Sequence, residues 1–252
     1  INTWQALTAA GDDTVVDLMA AYKLNVLHLH LTDDQGWRVE SRAYPELTSV
    51  AAPDGHYTLP ELAALVSYAA DRGVRIVPEL DVPGHTSALL VARPDLALGV
   101  PPDSLPTSYV VPGVSVDPDA EAVYEVLGTI LGEWAEVFPD PFVHIGGDEA
   151  PVLGAERQAG FTARMVELVK ALGRTAIVWD EALHPDLPTS VVVQAWRSPA
   201  KLFEAVRAGH RALLSSGWYL DLGVPLRFLH AVDPGAPPTE LEAAVLAPWN
   251  DR

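Results

Sequence analysis

The 252-residue sequence contains no cysteine. Disulfides, thiolate catalysis and cysteine-based zinc or iron–sulfur sites are therefore excluded. Basic residues are also few: 16 Lys and Arg stand against 34 Asp and Glu, which gives a formal net charge of −18. A phosphate backbone or an anionic membrane surface repels such a chain. We therefore expect no nucleic-acid partner.

Long apolar runs are missing as well, although 49% of the residues are hydrophobic, enough for a sizeable core. No run reaches the ~18 residues of a membrane-spanning helix, so we expect no membrane insertion. The first four residues, Ile1-Asn2-Thr3-Trp4, show neither the basic nor the apolar region of a signal peptide. Localisation stays open between secreted and cytoplasmic, and the oligomeric state is equally open.

Apolar runs of strand length alternate with longer amphipathic patterns along the chain. Strands are predicted at residues 25–31, 74–79, 142–146, 176–179, 191–196, 212–215 and 243–247, and helices at 59–71, 119–138, 161–172 and 199–208. Polar or aromatic residues follow nearly every strand, which favours a (β/α)8 barrel over a doubly wound sheet. The prediction is an α/β fold in which residues 1–252 form a single catalytic domain. The Pro-rich segment 83–118 is interpreted as an active-site loop.

The motif His144-Ile-Gly-Gly-Asp148-Glu149 places two carboxylates directly after a strand and a glycine pair. Neighbouring side chains of a strand point to opposite faces, so both acids can serve one site only if the strand ends there. The glycine pair permits that turn. Two close carboxylates resist ionising together, so one can act as an acid while the other stays charged. A solvated acidic loop is the alternative.

Two further motifs follow strands. Asp33 and Asp34 precede Gln-Gly-Trp-Arg, and either acid could accept hydrogen bonds from a polyol or a histidine; a capped turn is the alternative. Asp81 and His85 lie in Glu-Leu-Asp-Val-Pro-Gly-His, where a histidine near carboxylates can hold a proton network. A loop histidine bonded to backbone is the alternative there.

Aromatic residues collect near the later strand ends. They are Trp179, Trp196, Trp218 and Tyr219, and the acid Asp221 lies close to the last two in the sequence. Each tryptophan alone is typical of core packing. Several beside acids indicate a carbohydrate pocket, because sugar rings stack on aromatic faces and their hydroxyls bond carboxylates.

Together these segments resemble the β-N-acetylhexosaminidases of glycoside hydrolase family 20, in the family's order, from about Tyr22 to Pro225. The segments HIGGDE, DDQGWR and E-x-D-x-P-G-H are the most specific. The resemblance implies exo-acting hydrolysis of terminal β-linked GlcNAc or GalNAc with retention, through an oxazolinium intermediate formed by the substrate's own acetamido group. It implies N-acetylhexosamine-containing glycans as partners, and neither a cofactor nor a metal.

The resemblance also implies residue roles. Glu149 would be the acid and base, Asp148 would orient the acetamido group, and Asp33 and His85 would form a network with Glu149. The substrate-binding residues would be Asp81, Trp179, Trp196, Tyr219, Asp221, Trp249 and Asp251. Trp249 and Asp251 correspond only loosely to the family's Trp-x-Glu, because Asp replaces Glu and the register is shifted.

One departure concerns the ends of the chain. The family's first strand carries an arginine that grips sugar hydroxyls; its place falls near Trp4, and no arginine precedes Arg38. The first strand and the last helix are therefore expected to be short or missing. A truncated or degenerate sugar-binding relative without turnover is the main alternative. A metal-dependent barrel hydrolase is another, with ligands drawn from His28, His30, His85, His144 and Asp148.

Overall fold

The structure, a computed structural model, describes residues 9–108, 113–218, 232–233 and 236–241. The chain divides into two compact units, Ile1–Ala176 and Ile177–Arg252. Within each unit, strands alternate with helices as the sequence predicts. The single domain over residues 1–252 stays a prediction. Among the described residues, no helix is both long and apolar enough to cross a membrane.

The first unit contains three parallel strands that end side by side. Its elements are α1 (Ala9–Ala21), β1 (Val26–His30), β2 (Thr32–Asp33), β3 (Gly36–Trp37), α2 (Glu46–Ala51), α3 (Leu59–Ala70), β4 (Arg75–Glu79), α4 (Ser87–Ala92), α5 (Glu121–Val137), β5 (Phe142–His144) and α6 (Gly154–Ala171). Strand β1 pairs parallel with β4, with His30 opposite Glu79, and β4 pairs parallel with β5, with Glu79 opposite His144. The last residue of each of these strands is thus a histidine or a glutamate.

Strand β1 separates an apolar face from a polar one. Leu27 and Leu29 are buried, whereas the alternating His28 and His30 remain partly exposed. The period of two puts both histidines on the same face of the strand. On that face they meet Glu79 rather than the hydrophobic core.

Helix α3 shows how the sequence sets an element boundary. Thr58 and Glu61 form a reciprocal capping box at its start. The residues that it buries, Leu59, Leu62, Leu65 and Ala69, recur at three- and four-residue intervals. Gly73 follows with φ of 72°, a left-handed conformation that favours glycine after a helix end. The following strand β4 thus begins at a defined point.

The second unit continues the same alternation. It contains β6 (Thr175–Trp179, from Ile177 onward), β7 (Val192–Ala195), α7 (Pro199–Arg207) and β8 (Arg211–Leu214). Strand β7 pairs parallel with both β6 and β8. The strand predicted at 243–247, the first strand near Trp4 and the region of the last helix lie outside the described residues.

The described elements differ locally from the predicted ones. Helix α6 begins at Gly154, about two turns before the predicted start at residue 161. Helices α1 and α2 and the short strands β2 and β3 were not predicted. Within the segment interpreted as a loop, residues 83–118, the structure forms α4 and a 3-10 turn at Pro94–Leu96. Helix α4 has only six residues and buries most of them, so its sequence carries too short a pattern to reveal a helical period.

Candidate active site

The predicted catalytic residues come together beyond the ends of β1, β4 and β5. Asp33 follows β1, Asp81 and His85 follow β4, and Asp148 and Glu149 follow β5. Parallel strands present their carboxyl ends at the same edge, which is where α/β folds place their functional groups. All five residues belong to the first unit.

The turn after β5 has the form that the glycine pair predicts. Gly146 and Gly147 have φ of 65° and 102°, and Glu149 has φ of 47° although it carries a side chain. A Cβ on Gly146 would lie 1.7 Å from the Asp81 Oδ1, so only glycine fits. The alternation of a regular strand ends here, which allows Asp148 and Glu149 to face one site.

The loop after β4 approaches this turn closely. A Cβ on Gly84 would lie 2.7 Å from the backbone oxygen of Asp148, so a second glycine lets the two loops touch. His85 follows with φ of 52°, again left-handed for a residue that is not glycine. Such backbone conformations cost about 1–3 kcal/mol and concentrate at functional sites. His85 and Glu149 are thus both held in strained backbone at the same place.

The histidine bridges acids from two other segments. Its Nδ1 lies 2.9 Å from Asp33 Oδ1, and its Nε2 lies 3.3 Å from Glu149 Oε2 and 3.7 Å from Asp148 Oδ2. The side chains of Asp33, His85 and Asp148 are 14–16% exposed, whereas that of Glu149 is 36% exposed. Glu149 is therefore the member of this group most open to a ligand.

The Asp33-Asp34 pair divides into two roles. Asp34 is buried, and its Oδ1 accepts hydrogen bonds from the Ser87 backbone N–H at 2.9 Å and from the Ser87 hydroxyl at 2.5 Å. It thereby fastens the start of α4. Asp33 instead bonds His85 and, through Oδ2, lies 3.3 Å from His30 Nε2. Of the two acids, Asp33 is the one that hydrogen-bonds His85, and its role in the site stays a prediction.

The charges of His85 and Asp33 depend on two opposing effects: burial disfavours the charged form, whereas hydrogen bonds and charged neighbours favour it. Burial disfavours a charged His85, but the hydrogen bond to Asp33 and the charges of Asp148, Asp33 and Asp34 raise its pKa to about 10. Burial disfavours ionisation of Asp33 too, yet hydrogen bonds from His30 and His85 hold its pKa well below the ordinary value. Asp33 and His85 therefore form an ion pair at neutral pH.

Asp148 and Asp81, in contrast to Asp33, have pKa values above the ordinary value. Burial raises the pKa of Asp148 to about 7, against the opposing charge of His85 and together with that of Glu79. For Asp81, burial and the charges of Asp148 and Glu79 raise the pKa well above the ordinary value. Proton-binding and charged acids thus lie next to each other, an arrangement typical of acid–base sites.

A second layer lies beneath this group and was not predicted as such. Glu79 is fully buried, and its carboxylate lies 2.7 Å from His30 Nδ1, 2.8 Å from His28 Nε2 and 3.2 Å from His144 Nδ1. We call these four residues the Glu79 cluster. The sequence pattern that could have indicated this cluster is the spacing of His28 and His30, which puts both on one face of β1. From the sequence alone, these two histidines are candidates only for the ligands of a metal-dependent hydrolase.

The structure divides the ligand set of that metal alternative. His28, His30 and His144 surround Glu79, whereas His85 and Asp148 belong to the upper group with Asp33 and Glu149. His28, Glu79 and His144 could supply three ligand atoms to a cation. The two imidazoles stack with centroids 4.7 Å apart and lie near different oxygens of Glu79, while His144 Nδ1 accepts a hydrogen bond from the Gly146 backbone N–H at 3.0 Å.

In the second unit, Asp180 organises the segment after β7. It is buried, and its Oδ2 accepts hydrogen bonds from the backbone N–H groups of Trp196 (2.8 Å) and Arg197 (3.2 Å), while Oδ1 pairs with the Arg197 guanidinium. Trp179 closes β6 and is half-buried, as is Trp196. Trp218 is 43% exposed. The predicted site residues Tyr219, Asp221, Trp249 and Asp251 lie outside the described residues.

Comparison with known proteins points to one family. The model of glycosyl hydrolase family 20, catalytic domain, matches residues 12–154 and 153–227. A beta-N-acetylhexosaminidase of Cellulomonas fimi is 37% identical over 220 residues, which are 82% of this chain and 44% of that protein. The chain thus spans less than half the length of this relative.

Solved structures agree. A chitobiase of Flavobacterium johnsoniae superposes with a TM-score of 0.88 at 31% identity, over 98% of this chain and 42% of the other. A mutant beta-hexosaminidase of Streptomyces plicatus, solved with its product GlcNAc, gives a TM-score of 0.78 at 33% identity, over 85% and 46%. These matches confirm the predicted α/β class with part of a (β/α)8 barrel. The chain belongs to glycosyl hydrolase family 20.

Proposed function

We propose that the chain carries the catalytic centre of an exo-acting β-N-acetylhexosaminidase, within a single domain over residues 1–252. The observation that carries this proposal is the bridge of His85 from Asp33 to Glu149, beside Asp148. The substrates proposed are glycans that end in β-linked GlcNAc or GalNAc. The GlcNAc product in the Streptomyces plicatus relative supports this substrate class.

In the first step, Glu149 protonates the glycosidic oxygen as its bond to the anomeric carbon breaks. The acetamido oxygen of the substrate attacks the same carbon from the opposite face and forms an oxazolinium ion. Asp148 accepts a hydrogen bond from the acetamido N–H and stabilises the positive charge that develops there. The accessibility of Glu149 relative to Asp148 supports this division of roles, because the outer residue must reach the leaving oxygen.

In the second step, Glu149 takes a proton from water, and the resulting hydroxide equivalent adds to the anomeric carbon. The carbon–oxygen bond to the acetamido group breaks, and that group is restored. Two inversions give net retention of configuration. The neighbouring His85–Asp33 ion pair holds a fixed charge beside Glu149 while its proton leaves and returns.

Substrate orientation is assigned to residues outside this proton chemistry. Asp81, buried against Gly146, supports the turn that carries Asp148. Trp179, Trp196 and Tyr219 are proposed to wall the acetamido pocket. Asp221, Trp249 and Asp251 are proposed to contact sugar hydroxyls. Aromatic faces and carboxylates are the complement of a sugar with apolar ring faces and hydroxyl edges.

The test is release of the aryl group from an aryl β-GlcNAc by the full chain, with Glu149→Gln as the matched control. We expect the variant to lose a factor of at least about 10² in kcat, since positioned acid–base groups contribute about 10²–10⁴. A thiazoline mimic of the bicyclic intermediate is expected to bind more tightly than GlcNAc. Equal release by both proteins overturns the proposal, and GlcNAc binding without release indicates the sugar-binding alternative.

A further inference from the structure

Glu79 is a buried carboxylate that the reaction steps above do not use. It is 0% exposed at the end of β4, between His30 of β1 and His144 of β5. An ionised carboxylate is costly to bury unless it is paired and hydrogen-bonded. His30 Nδ1 supplies a hydrogen bond at 2.7 Å, and ring nitrogens of His28 and His144 lie 2.8 and 3.2 Å from the carboxylate. A group this costly, placed directly below the acid–base residues, calls for a role.

The Glu79 cluster connects to Glu149 through an alternating chain of acids and imidazoles. His30 contacts Glu79 through Nδ1 at 2.7 Å and Asp33 through Nε2 at 3.3 Å. His85 contacts Asp33 through Nδ1 at 2.9 Å and Glu149 through Nε2 at 3.3 Å. An imidazole donates from both nitrogens only when it is doubly protonated. His30, which hydrogen-bonds an acid through each of its nitrogens, therefore suits a positive charge. His85 hydrogen-bonds Asp33 through Nδ1 and faces Glu149 with Nε2 at ion-pair distance.

We propose that Glu79 is a positioning residue for the acid–base chemistry of Glu149, acting through His30, Asp33 and His85. The inference rests on the proposed function, because it assigns the role of Glu149 from there. It extends the network by two residues, His30 and Glu79, of which Glu79 is fully buried and lies too deep to touch a substrate. Glu79 anchors the far end, so that the charge and orientation of His85 are fixed.

The electrostatic environment is consistent with this geometry. Burial disfavours charge on His30, but the charge of Glu79 and the hydrogen bond to Asp33 raise its pKa well above the ordinary value. Burial opposes ionisation of Glu79, yet His30, His144 and His28 hold its pKa well below the ordinary value. The chain therefore carries alternating charges at neutral pH, negative on Glu79 and Asp33, positive on His30 and His85.

Other charged groups face the two ends of the chain. Glu79 also faces His28 and His144, and it lies near the acids Asp81 and Asp148. His85 faces Asp34 and Asp148 besides its partners Asp33 and Glu149. Loss of the Glu79 charge removes the nearest anion from His30. A neutral His30 keeps one N–H and can no longer donate to both acids, so Asp33 loses part of its support.

The experiment uses the full chain with ¹⁵N-labelled histidine, whose imidazole nitrogen shifts report protonation directly. In the native protein, His30 and His85 are expected to be doubly protonated at pH 7. In Glu79→Gln, the titration midpoint of His30 is expected to fall by about one pH unit or more, and that of His85 by a smaller amount. Circular dichroism verifies the fold.

Glu133→Gln is the matched control. Glu133 is a buried carboxylate on α5 that accepts the backbone N–H groups of Arg42 and Ala43, both at 3.0 Å. Its loss is expected to leave both histidine titrations in place. An unchanged His85 titration in folded Glu79→Gln overturns the proposal. If Glu79→Gln does not fold, the native protein decides, because a neutral His30 at pH 7 overturns the proposal as well.

Kinetics give a second readout. We expect Glu79→Gln to lower kcat on the aryl β-GlcNAc by about tenfold or more, a part of the effect of the acid–base group that it positions, with a smaller change in KM. Glu79→Asp, which keeps the charge, is expected to recover part of that loss. Absence of release by the native chain contradicts the proposed function alone, since the titrations still test the positioning role. Unchanged kcat in an active Glu79→Gln variant overturns that role.

Discussion

Gly146 and Asp81 approach each other so closely that no side chain fits between them. A Cβ on Gly146 would lie 1.7 Å from the Asp81 Oδ1 and 2.8 Å from its Cα. Gly146 also has φ of 65°, in the left-handed region. The contact joins the turns after β4 and β5, and so fixes the position of Asp148 and Glu149 relative to His85.

We therefore expect Gly146→Ala to lower the free energy of unfolding by about 3 kcal/mol or more, since overpacking and backbone strain add. Urea unfolding measures this. Gly160→Ala is the control, because Gly160 is an exposed residue of α6 with no atom near a new Cβ. That variant is expected to gain about 0.5–1 kcal/mol from helix propensity. Equal effects of the two substitutions contradict the role of the contact.

The glycine turn illustrates what the sequence reveals. The pair Gly146-Gly147 before two acids predicts a strand end and a turn, because no other residue reaches those backbone angles without strain. The strand ends at β1, β4 and β5 were predictable for a similar local reason, since each follows a short apolar run. The meeting of acids and His85 beyond these strand ends was therefore within reach of sequence reasoning.

The Glu79 cluster was not within reach. Its contacts join residues 49 apart for His30 and 65 apart for His144, and only the register of three strands brings them together. The motif by itself leaves the choice between Asp33 and Asp34 open for the same reason, and only the family resemblance indicates Asp33. Ser87, which satisfies Asp34, is 53 residues away. Helix α4, which carries Ser87, has too few residues to show a pattern.

Asp34 provides a second prediction. Its Oδ1 accepts both the backbone N–H and the hydroxyl of Ser87 inside the protein. Asp34→Ala is expected to cost about 2–3 kcal/mol of unfolding free energy, because buried donors lose a charged acceptor. Ser87→Ala removes only the hydroxyl and is expected to cost less. The double variant is expected to be less destabilised than the sum of the two, and exact additivity contradicts the contact.

The charge of Asp148 is expected to lower the free energy of unfolding although the proposed reaction needs this residue. Its pKa is raised to about 7 from an ordinary 3.8, so the folded state carries a penalty for its charge that is absent below about pH 4 and complete above about pH 7. Asp148→Asn is expected to raise the unfolding free energy at pH 8 by about 0.5–2 kcal/mol while reducing kcat. The gain is expected to shrink toward pH 4.

Thermal unfolding at pH 4, 6 and 8 measures this dependence. Asp186→Asn is the control, because the Asp186 side chain is 92% exposed. It is expected to change the unfolding free energy by less than about 0.5 kcal/mol. A gain for Asp148→Asn that is independent of pH contradicts the assignment.

Asp180 is expected to carry much of the local order in the second unit. It satisfies two backbone N–H groups and the Arg197 guanidinium from a buried position. Asp180→Ala is expected to lower the free energy of unfolding by about 2–4 kcal/mol, because breaking a buried pair leaves its partners unsatisfied. Glu204→Ala removes the partly exposed pair with Lys201 and is expected to cost less than about 0.5 kcal/mol. Comparable losses contradict the role of Asp180.

The His85–Asp33 pair predicts a decline of stability with alkaline pH. The folded-state pKa of His85 is about 10, above the ordinary 6.5, so its contribution is complete below about pH 6.5 and is lost as pH rises through 10. The difference in unfolding free energy between the native protein and His85→Asn is therefore expected to be larger at pH 6 than at pH 10. The expected decrease is about 1–3 kcal/mol, since one pKa unit corresponds to about 1.4 kcal/mol and neighbouring acids share the effect. Urea unfolding at pH 6, 8 and 10 measures it.

In an Asp33→Asn background the decrease is expected to be smaller, because that substitution removes the hydrogen bond and one of the charges that raise the pKa of His85. A difference that stays constant or grows between pH 6 and pH 10 contradicts the ion pair.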